Sequence, residues 1–131
     1  MVMKEKIGRN VLKNRPKNLK TILEITINGN KIKITKSRIY VGRKYIEKGS
    51  ILDKILQALY PNKILTREEL VDIGWRSTGT GYSYAMQGLH ERLKRLDKMG
   101  IINFVKRGRR KDVKLTPLGK VVAEILIFGG S

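Results

Sequence analysis

The sequence predicts an α+β fold, because two hydrophobic periodicities occupy different parts of the chain. Between Thr21 and Ile34 apolar residues alternate with polar ones, which is the period of a half-buried β-strand. From Ser50 onward they recur at three- and four-residue spacings, which is typical of amphipathic helices. Alternation returns between Ile101 and Leu115. A chain of 131 residues has room for one main core and a small appendage.

The N-terminal part of the chain predicts a basic arm followed by strands. Seven of the first twenty residues are basic, one is acidic and no clean apolar period is present, so we expect residues 1–20 to form a flexible arm. Alternation on both sides of an Asn-Gly pair then indicates a β-hairpin with one apolar face. Ile39 to Val41 indicates a third strand, and Gly42 and Gly49 bracket a polar connection. Residues 21–49 are therefore predicted as a strand extension.

The main domain, residues 50–131, is predicted to begin with two short helices. Ser50 is a suitable N-cap for the first helix, whose apolar residues share one side before Pro61 ends it. A Thr-x-x-Glu capping box that begins at Thr66 starts the second helix, which we expect to stop at Gly74.

A longer third helix follows a turn rich in Gly, Ser and Thr. Apolar residues at three- and four-residue spacing predict this helix over about residues 82–99, and Gly100 ends it. Near the end of the chain, Thr116-Pro117 is a cap and first-turn pattern for a final helix through Phe128.

Between these two helices the sequence predicts a basic β-hairpin. Ile101 to Lys106 indicates a strand, Arg107-Gly108-Arg109-Arg110-Lys111 the hairpin tip, and Asp112 to Leu115 the return strand. Two helices joined by a short turn, the second long and basic and followed by a hairpin, form a winged helix-turn-helix. We thus predict a three-helix core with a β-hairpin wing over residues 106–112 and a C-terminal helix. The third helix would enter the major groove, and the wing would lie on the backbone or in the minor groove.

The same stretch resembles a known protein family. Leu89 to Ile102 forms a basic helix pattern that ends in Leu-x-x-x-Gly followed by two isoleucines, and Leu115 to Gly119 supplies a Leu-Thr-x-x-Gly start for the closing helix. These features are similar to those of archaeal and bacterial winged-helix regulators of the MarR and PadR kind, over Ser50 to Phe128. The resemblance implies a winged-helix fold and a role in transcription regulation.

The net charge of +18, from 29 Lys and Arg against 11 Asp and Glu, attracts polyanions whatever the fold is. Charge alone leaves DNA, RNA and anionic membranes as candidates. No apolar run approaches the roughly twenty residues that span a bilayer, and the first residues lack the apolar middle of a signal peptide. We therefore expect a soluble cytoplasmic protein that binds double-stranded DNA without membrane contact, with RNA as a second candidate.

Composition also argues against metal sites and catalysis. The chain has no Cys and one His, so disulfides and thiolate metal sites are excluded. It has no Ser/His/Asp order and no phosphate loop, so we expect no cofactor, no metal and no enzymatic activity. Abundant Lys and Ile, scarce Gln and absent Cys are typical of hyperthermophile chains, and we expect a thermophilic archaeal source.

Candidate nucleic-acid contacts follow from the predicted docking. Side chains at the start and on the outer face of the third helix reach base edges, and Gln87 can offer the donor and acceptor that adenine requires. Packed like charges on the hairpin repel unless a polyanion neutralises them, so the hairpin would contact phosphates. The arm would add affinity without sequence information. The predicted contacts are Arg76, Thr80, Ser83, Tyr84, Gln87, Glu91, Lys94, Arg95, Arg107, Arg109, Arg110 and Lys111.

Structural alternatives stay open for several of these residues. Tyr82 and Tyr84 could pack against the second helix, the hairpin charges could form a solvated loop, and cations on the third helix could pair with neighbouring acids. The residues assigned to the core are Met86, Leu89, Leu93, Leu96, Ile55, Leu56, Leu70, Trp75 and Val113.

The function predicted from these features is sequence-specific transcriptional regulation, by a nucleoid-associated repressor that blocks a promoter. We expect a homodimer, because such regulators bind two half-sites about one helical turn apart. The apolar face of the N-terminal hairpin, or that of the final helix with Val121, Val122, Ile125 and Leu126, could supply its interface. Two other classes stay open: a chromatin-like or RNA-binding coat protein without sequence preference, and a winged-helix adaptor that binds proteins.

Overall fold

Helices and antiparallel sheets occupy separate stretches of the chain, and the predicted α+β class is confirmed. The computed structural model describes residues 21–27, 29–76 and 78–129. The predicted arm over residues 1–20 lies outside the described residues.

The first of two compact units is built on antiparallel strands. The units divide between Tyr45 and Ile46. The strands are β1 (Thr21–Ile27), β2 (Asn30–Thr35), β3 (Arg38–Val41) and β4 (Lys44–Glu47). They form one sheet in the order β1-β2-β3-β4, and β4 runs across the division.

The alternating sequence sets the register of this sheet. Ile25 pairs with Ile32 across β1 and β2, and Ile34 pairs with Ile39 across β2 and β3. Cross-strand partners share a face, so the isoleucines gather on one side of the sheet, where Ile32 and Ile39 are fully buried. The predicted hairpin and third strand are confirmed.

The fourth strand departs from the prediction. The stretch between Gly42 and Gly49 was expected to be a polar connection, and that prediction is wrong because β4 occupies it. Only Ile46 of this strand is buried, so its sequence contains no alternation long enough to indicate a strand. Gly42 has φ of 64°, which suits the tight turn out of β3.

The second unit contains four helices and a hairpin within the described residues. They are α1 (Ile51–Leu59), α2 (Arg67–Trp75), α3 (Tyr82–Lys98), β5 (Ile102–Arg107), β6 (Arg110–Leu115) and α4 (Pro117–Phe128).

The first two helices begin at the predicted caps. The Ser50 hydroxyl accepts a hydrogen bond from the Asp53 amide at 3.4 Å. Asp53 is buried, and its carboxylate oxygens accept from the Gly49 amide at 2.6 Å and from the Gln57 side chain at 2.7 Å. The capping box at Thr66 is formed on both sides. These starts are local events that a short sequence pattern determines.

The predicted stop of α2 at Gly74 is wrong, because the helix continues to Trp75. Gly74 is buried, and a Cβ atom there would lie 3.1 Å from Cγ2 of Ile51 on α1. The absence of a side chain therefore serves close packing of α1 against α2 rather than helix termination.

The predicted core residues are buried except Met86 and Trp75, which are partly exposed. Trp75 packs over Gly88 on α3, where a Cβ atom would come within 2.9 Å of the indole ring. The Arg92 guanidinium lies 5.3 Å from the centroid of the same ring. Trp75 thus fixes the crossing of α2 and α3 at the surface and does not fill the interior.

The end of α3 and the start of β5 form a tight junction at Gly100, which ends the helix as predicted with φ of 77°. The Gly100 amide donates to the Asp97 carbonyl and the Ile101 amide donates to the Leu96 carbonyl, each at 3.0 Å. This pair of bonds is the Schellman arrangement, which requires a left-handed residue and favours glycine there. The Thr116 hydroxyl then donates to the Gly100 carbonyl at 2.6 Å.

The start of α4 is held against the same junction. The Thr116 amide donates to the Ile101 carbonyl, and the Thr116 hydroxyl accepts from the Gly119 amide, both at 2.9 Å. A Cβ atom on Gly119 would lie 2.0 Å from the Ile101 carbonyl oxygen. The Leu-Thr-x-x-Gly pattern therefore has a physical reason: threonine forms the cap, and glycine admits the backbone of the neighbouring strand.

A second backbone link ties the hairpin to the helices. The Leu65 amide donates to the Val113 carbonyl at 3.0 Å, and the Val113 amide donates back at 2.9 Å. The loop before α2 is thereby attached to β6.

Some apolar side chains of α4 lie on the outer side of the helix. Val122 and Leu126 are buried, so only Val121 and Ile125 of the predicted interface residues remain partly exposed, and Phe128 is 70% exposed. The Phe128 ring meets the Tyr60 ring edge-on at 6.2 Å.

The Tyr60 hydroxyl joins the end of α1 to α4 by donating a hydrogen bond to Glu124 at 2.7 Å. This bond raises the pKa of Tyr60, because it stabilises the protonated phenol beside a carboxylate.

We predict that Gly119→Ala lowers the free energy of unfolding by about 3 kcal/mol, at the upper end of the range for overpacking. The new methyl group would overlap a backbone oxygen, which cannot move without displacing β5. Urea denaturation measures the change. Lys120→Ala, one residue further along α4, should stay within about 0.5 kcal/mol of the unsubstituted chain. Equal stability of both variants would contradict the proposed close contact.

Candidate nucleic-acid interface

The first half of α3 presents an exposed polar face. Ser83, Gln87 and Glu91 are exposed and lie on one stripe at four-residue spacing, as predicted from the sequence. Tyr84 is 76% exposed and Tyr82 is 59% exposed, so neither ring is buried against α2. The stripe therefore offers hydroxyl and amide groups directly to a ligand.

The second half of α3 continues this surface with charge. Lys94 and Arg95, which the sequence predicts as nucleic-acid contacts, are both exposed. Lys98 is exposed in the last turn. Exposed hydroxyl and amide side chains thus lie towards the N-terminal end of the helix, and cations follow towards its C-terminal end.

The start of α3 is uncapped. Gly81 occupies the N-cap without a side-chain hydrogen bond, and the first turn contains no acidic residue. The first backbone amides of a helix have no partner within it, and the helix dipole adds partial positive charge there. This end of α3 can therefore donate hydrogen bonds to an anion.

The turn before α3 contains the two other predicted phosphate contacts. Arg76 caps α2 at its C-terminal end and forms an ion pair with Asp72, with both side chains about two-thirds exposed (68% and 67%). Thr80 is exposed, and its hydroxyl accepts from the Thr78 hydroxyl at 2.9 Å. Both residues can be reached from solvent, but the charge of Arg76 is partly balanced within the turn.

An open groove of about 510 Å³ runs along the start of α3. Its lining combines α3 side chains with the first residue of α2. The lining residues are Arg67, Tyr82, Ser83, Met86, Gln87 and His90. Ser83 and Gln87 were predicted from the sequence as nucleic-acid contacts, and the other four lining residues were not.

Arg67 connects this groove to the hairpin. Its guanidinium lies 5.9 Å from the centroid of the Phe104 ring on β5, and its Nε atom is buried without a hydrogen-bond partner. The hairpin and the start of α3 are therefore neighbours at one surface. Arg67 directly follows the Thr66 cap and so lies in the first turn of α2. Because this turn lies beside α3 in a helix-turn-helix, its position could have identified Arg67 from the sequence.

The tip of the hairpin is shorter than predicted. Lys106 pairs with Lys111 and Arg107 pairs with Arg110 as regular strand partners, leaving a two-residue turn at Gly108–Arg109. The predicted five-residue tip is wrong because a glycine with φ of 62° at position 108 allows the chain to reverse within two residues.

The arginines of the hairpin are not an unneutralised cluster. Asp112 is fully buried, and Arg110 contacts both of its carboxylate oxygens, with Nε at 3.1 Å and Nη2 at 3.3 Å. Arg107 approaches the same carboxylate at 3.6 Å. Arg107 and Arg110 are therefore partly neutralised within the hairpin, because one internal carboxylate contacts both, and their mutual repulsion does not by itself require a polyanion.

The remaining hairpin cations occupy the other face and the turn. Cross-strand partners share a face, so Lys106 and Lys111 lie on the side of Phe104, opposite Arg107 and Arg110. Arg109 lies at the exposed turn. On the hairpin, Lys106 and Lys111 are thus the cations on the side of Phe104, the ring that Arg67 contacts, and sequence reasoning missed Lys106.

Neither a candidate metal site nor a candidate membrane-spanning helix is present among the described residues. In this part of the chain, no three His, Cys, Asp or Glu side chains are grouped closely enough to hold a metal ion. None of its helices has the length and hydrophobicity that crossing a bilayer requires.

Comparison of the chain with protein-family models, with curated proteins and with solved structures finds no match. The local geometry is therefore the basis for assigning a function.

We predict that Asp112 couples more strongly to Arg110 than to Arg107 in double-mutant cycles with alanine. Arg110 makes two charged hydrogen bonds, whereas Arg107 makes one longer contact, and both arginines are about half exposed (57% and 50%). We expect a coupling energy of about 1 kcal/mol for Arg110 and less for Arg107.

Urea denaturation of the single and double variants measures these couplings. The exposed Arg76–Asp72 pair is the control and should couple by about 0.3 kcal/mol. Equal coupling of Asp112 to both arginines would contradict the geometry.

Proposed function

We propose that the second unit is a winged helix-turn-helix that binds double-stranded DNA, with α3 in the major groove and the β5–β6 hairpin beside it. The observation that carries this proposal is the contact of Arg67 with Phe104, which joins the exposed start of α3 to the hairpin. A recognition helix and its wing have to meet one duplex at the same time. The element order α1, α2, α3, hairpin, α4 also supports the proposal.

In this proposal, side chains of the first half of α3 contact the base edges. An α-helix fits the major groove, and the side chains near its N-terminus reach base edges. Gln87 can form two hydrogen bonds to adenine, and Ser83 can donate to or accept from any base. Both are exposed and line the groove.

Phosphate contacts would come from the positions that flank this face. The backbone amides that follow the Gly81 N-cap would supply hydrogen-bond donors. The hairpin would supply exposed charge from Arg109, Lys111 and Lys106. Such contacts fix the position of a protein on the duplex without reading sequence. The division between readers on α3 and cations on the hairpin supports sequence-specific binding.

The biological role we propose is that of a nucleoid-associated repressor that acts as a homodimer. Val121, Ile125 and Phe128 recur at helical spacing on the outer side of α4 and remain at least partly exposed. A two-fold contact between such stripes would give two α3 helices for two half-sites.

A coat protein without sequence preference is the second candidate, and the overall net charge of +18 favours it. Charge of this size supports binding to any nucleic acid, with an affinity that falls steeply with salt. The two proposals differ in whether the α3 side chains affect sequence preference.

Selection from random duplexes, followed by binding across a salt series, tests the proposal. We predict that the selected duplex outbinds a scrambled duplex about a thousandfold at physiological salt. Gln87→Ala should relax the preference at one or two base pairs, at a cost of about 1–3 kcal/mol. Arg109→Ala should weaken all duplexes alike and reduce the salt slope by about 0.9.

The control is Lys54→Ala on α1, which removes one exposed charge from a helix outside the proposed interface. It should keep both the sequence preference and most of the affinity. Equal binding of selected duplex, scrambled duplex and single-stranded RNA, with a common salt slope, would replace the regulator by the coat protein.

A further inference from the structure

The solvent-facing side of the N-terminal sheet combines aromatic rings with cations. The register aligns Glu24, Lys33 and Tyr40 across three adjacent strands, so they share the face opposite the buried isoleucines. Arg38 precedes Tyr40 by two residues on β3 and lies on the same face. We call the set Lys31, Lys33, Arg38, Tyr40 and Tyr45 the aromatic-basic face.

The two tyrosines of this face are held in place. Their ring centroids lie 5.5 Å apart with the planes at 47°. The Arg38 guanidinium lies 4.3 Å from the Tyr45 ring centroid and donates to the Tyr40 hydroxyl at 3.2 Å. Fixed rings lose little conformational entropy when a ligand covers them.

The backbone below Arg38 is fixed as well. The buried Thr35 hydroxyl accepts from the Arg38 amide at 3.0 Å and donates to the Arg38 carbonyl at 3.1 Å. The turn between β2 and β3 is thereby closed on itself. The guanidinium and the two tilted rings therefore form a preorganised patch rather than a set of mobile surface side chains.

Two lysines on β2 lie beside this patch. Lys33 is exposed and directly opposite Tyr40, and Lys31 lies further along β2, 3.0 Å from the Glu24 carboxylate. Residues 21–45 contain six Lys and Arg against one acidic residue. The strand beside Tyr40 therefore adds positive charge to this face.

We propose that the aromatic-basic face binds single-stranded DNA, with unpaired bases stacked on Tyr40 and on the Arg38–Tyr45 pair. Lys31 and Lys33 would neutralise the phosphates between the stacked bases. Stacking on aromatic rings together with a basic track is the usual chemistry of single-strand recognition, and arginine adds a cation–π contribution.

A duplex does not fit this face equally well. Its bases are stacked inside the helix and expose only their edges, whereas the half-buried Tyr40 ring and the Arg38 guanidinium over Tyr45 would offer flat groups to the flat side of a base. The choice of DNA over RNA rests on the proposed function, because β4 joins the sheet covalently to the unit that would hold duplex DNA. A single strand beside that duplex would be at a high effective concentration.

The test uses the full chain and two oligonucleotides of about twelve nucleotides, within the range of known single-strand site sizes. One is oligothymidine, and the other is an abasic strand of the same length with the same phosphate charge. We expect oligothymidine to bind about tenfold more tightly than the abasic strand, since only stacking distinguishes them. Equal affinity would overturn the proposal and leave general electrostatic attraction.

Substitutions then locate the stacking surface. Tyr40→Ala with Tyr45→Ala should abolish the preference for oligothymidine over the abasic strand, whereas Tyr40→Phe with Tyr45→Phe should preserve it. The phenylalanine variant keeps the rings and serves as the measurement if the alanine variant does not fold, as thermal unfolding would reveal. Loss of the preference in the phenylalanine variant while it remains folded would overturn the stacking role.

Tyr82→Ala with Tyr84→Ala is the matched control, because it removes two exposed rings from α3 instead. It should keep the oligothymidine preference; if it loses the preference, the stacking surface lies on α3 and the proposal is overturned. The affinity for oligouridine of the same length is compared with that for oligothymidine. An affinity for oligouridine more than about tenfold higher would overturn the assignment to DNA. The selected-duplex experiment reports on α3 separately, so failure of one proposal is distinguishable from failure of the other.

Discussion

The close approach of Gly119 to the Ile101 carbonyl is the constraint on which the arrangement of the second unit depends. At this point the end of α3, the start of the hairpin and the start of α4 meet within a few residues, and one threonine side chain bonds to two of them. Because the junction is made of backbone groups, it leaves little freedom in the direction of β5. The hairpin is held beside α3 from this side, and the Leu65–Val113 pair holds it from the other.

Short sequence patterns were sufficient to predict most helices and strands. The wrong predictions lie where packing against distant residues determines the structure. Ser50, Thr66 and Thr116 mark helix starts, and Gly100 marks an end, because capping bonds span only a few residues. Gly74 and β4 were predicted wrongly because their conformations depend on partners elsewhere. A glycine that stops a helix and a glycine that admits a neighbouring helix look alike in sequence.

The candidate interface was predicted in part, for a similar reason. Exposure along α3 follows from its periodicity, so the stripe from Ser83 to Arg95 could be inferred. The division of hairpin charges between two faces could not, since it depends on register and on a buried carboxylate. Charge counted along the sequence suggested one cluster, whereas the fold places Arg107 and Arg110 on one shared carboxylate and leaves the other hairpin cations exposed.

Gly81 leaves the first backbone amides of α3 without a side-chain cap, which affects both the stability of the helix and its capacity to bind an anion. A serine or aspartate in place of Gly81 would satisfy one of the free amides from within the chain, with a stability gain of a few tenths of a kcal/mol. If the start of α3 binds a phosphate as proposed, the same bond would occupy one of the donors for it, and an acidic cap would also repel it. If α3 binds DNA as proposed, a phosphate would supply the missing cap in the complex, and the free protein would have a slightly less stable helix start in exchange.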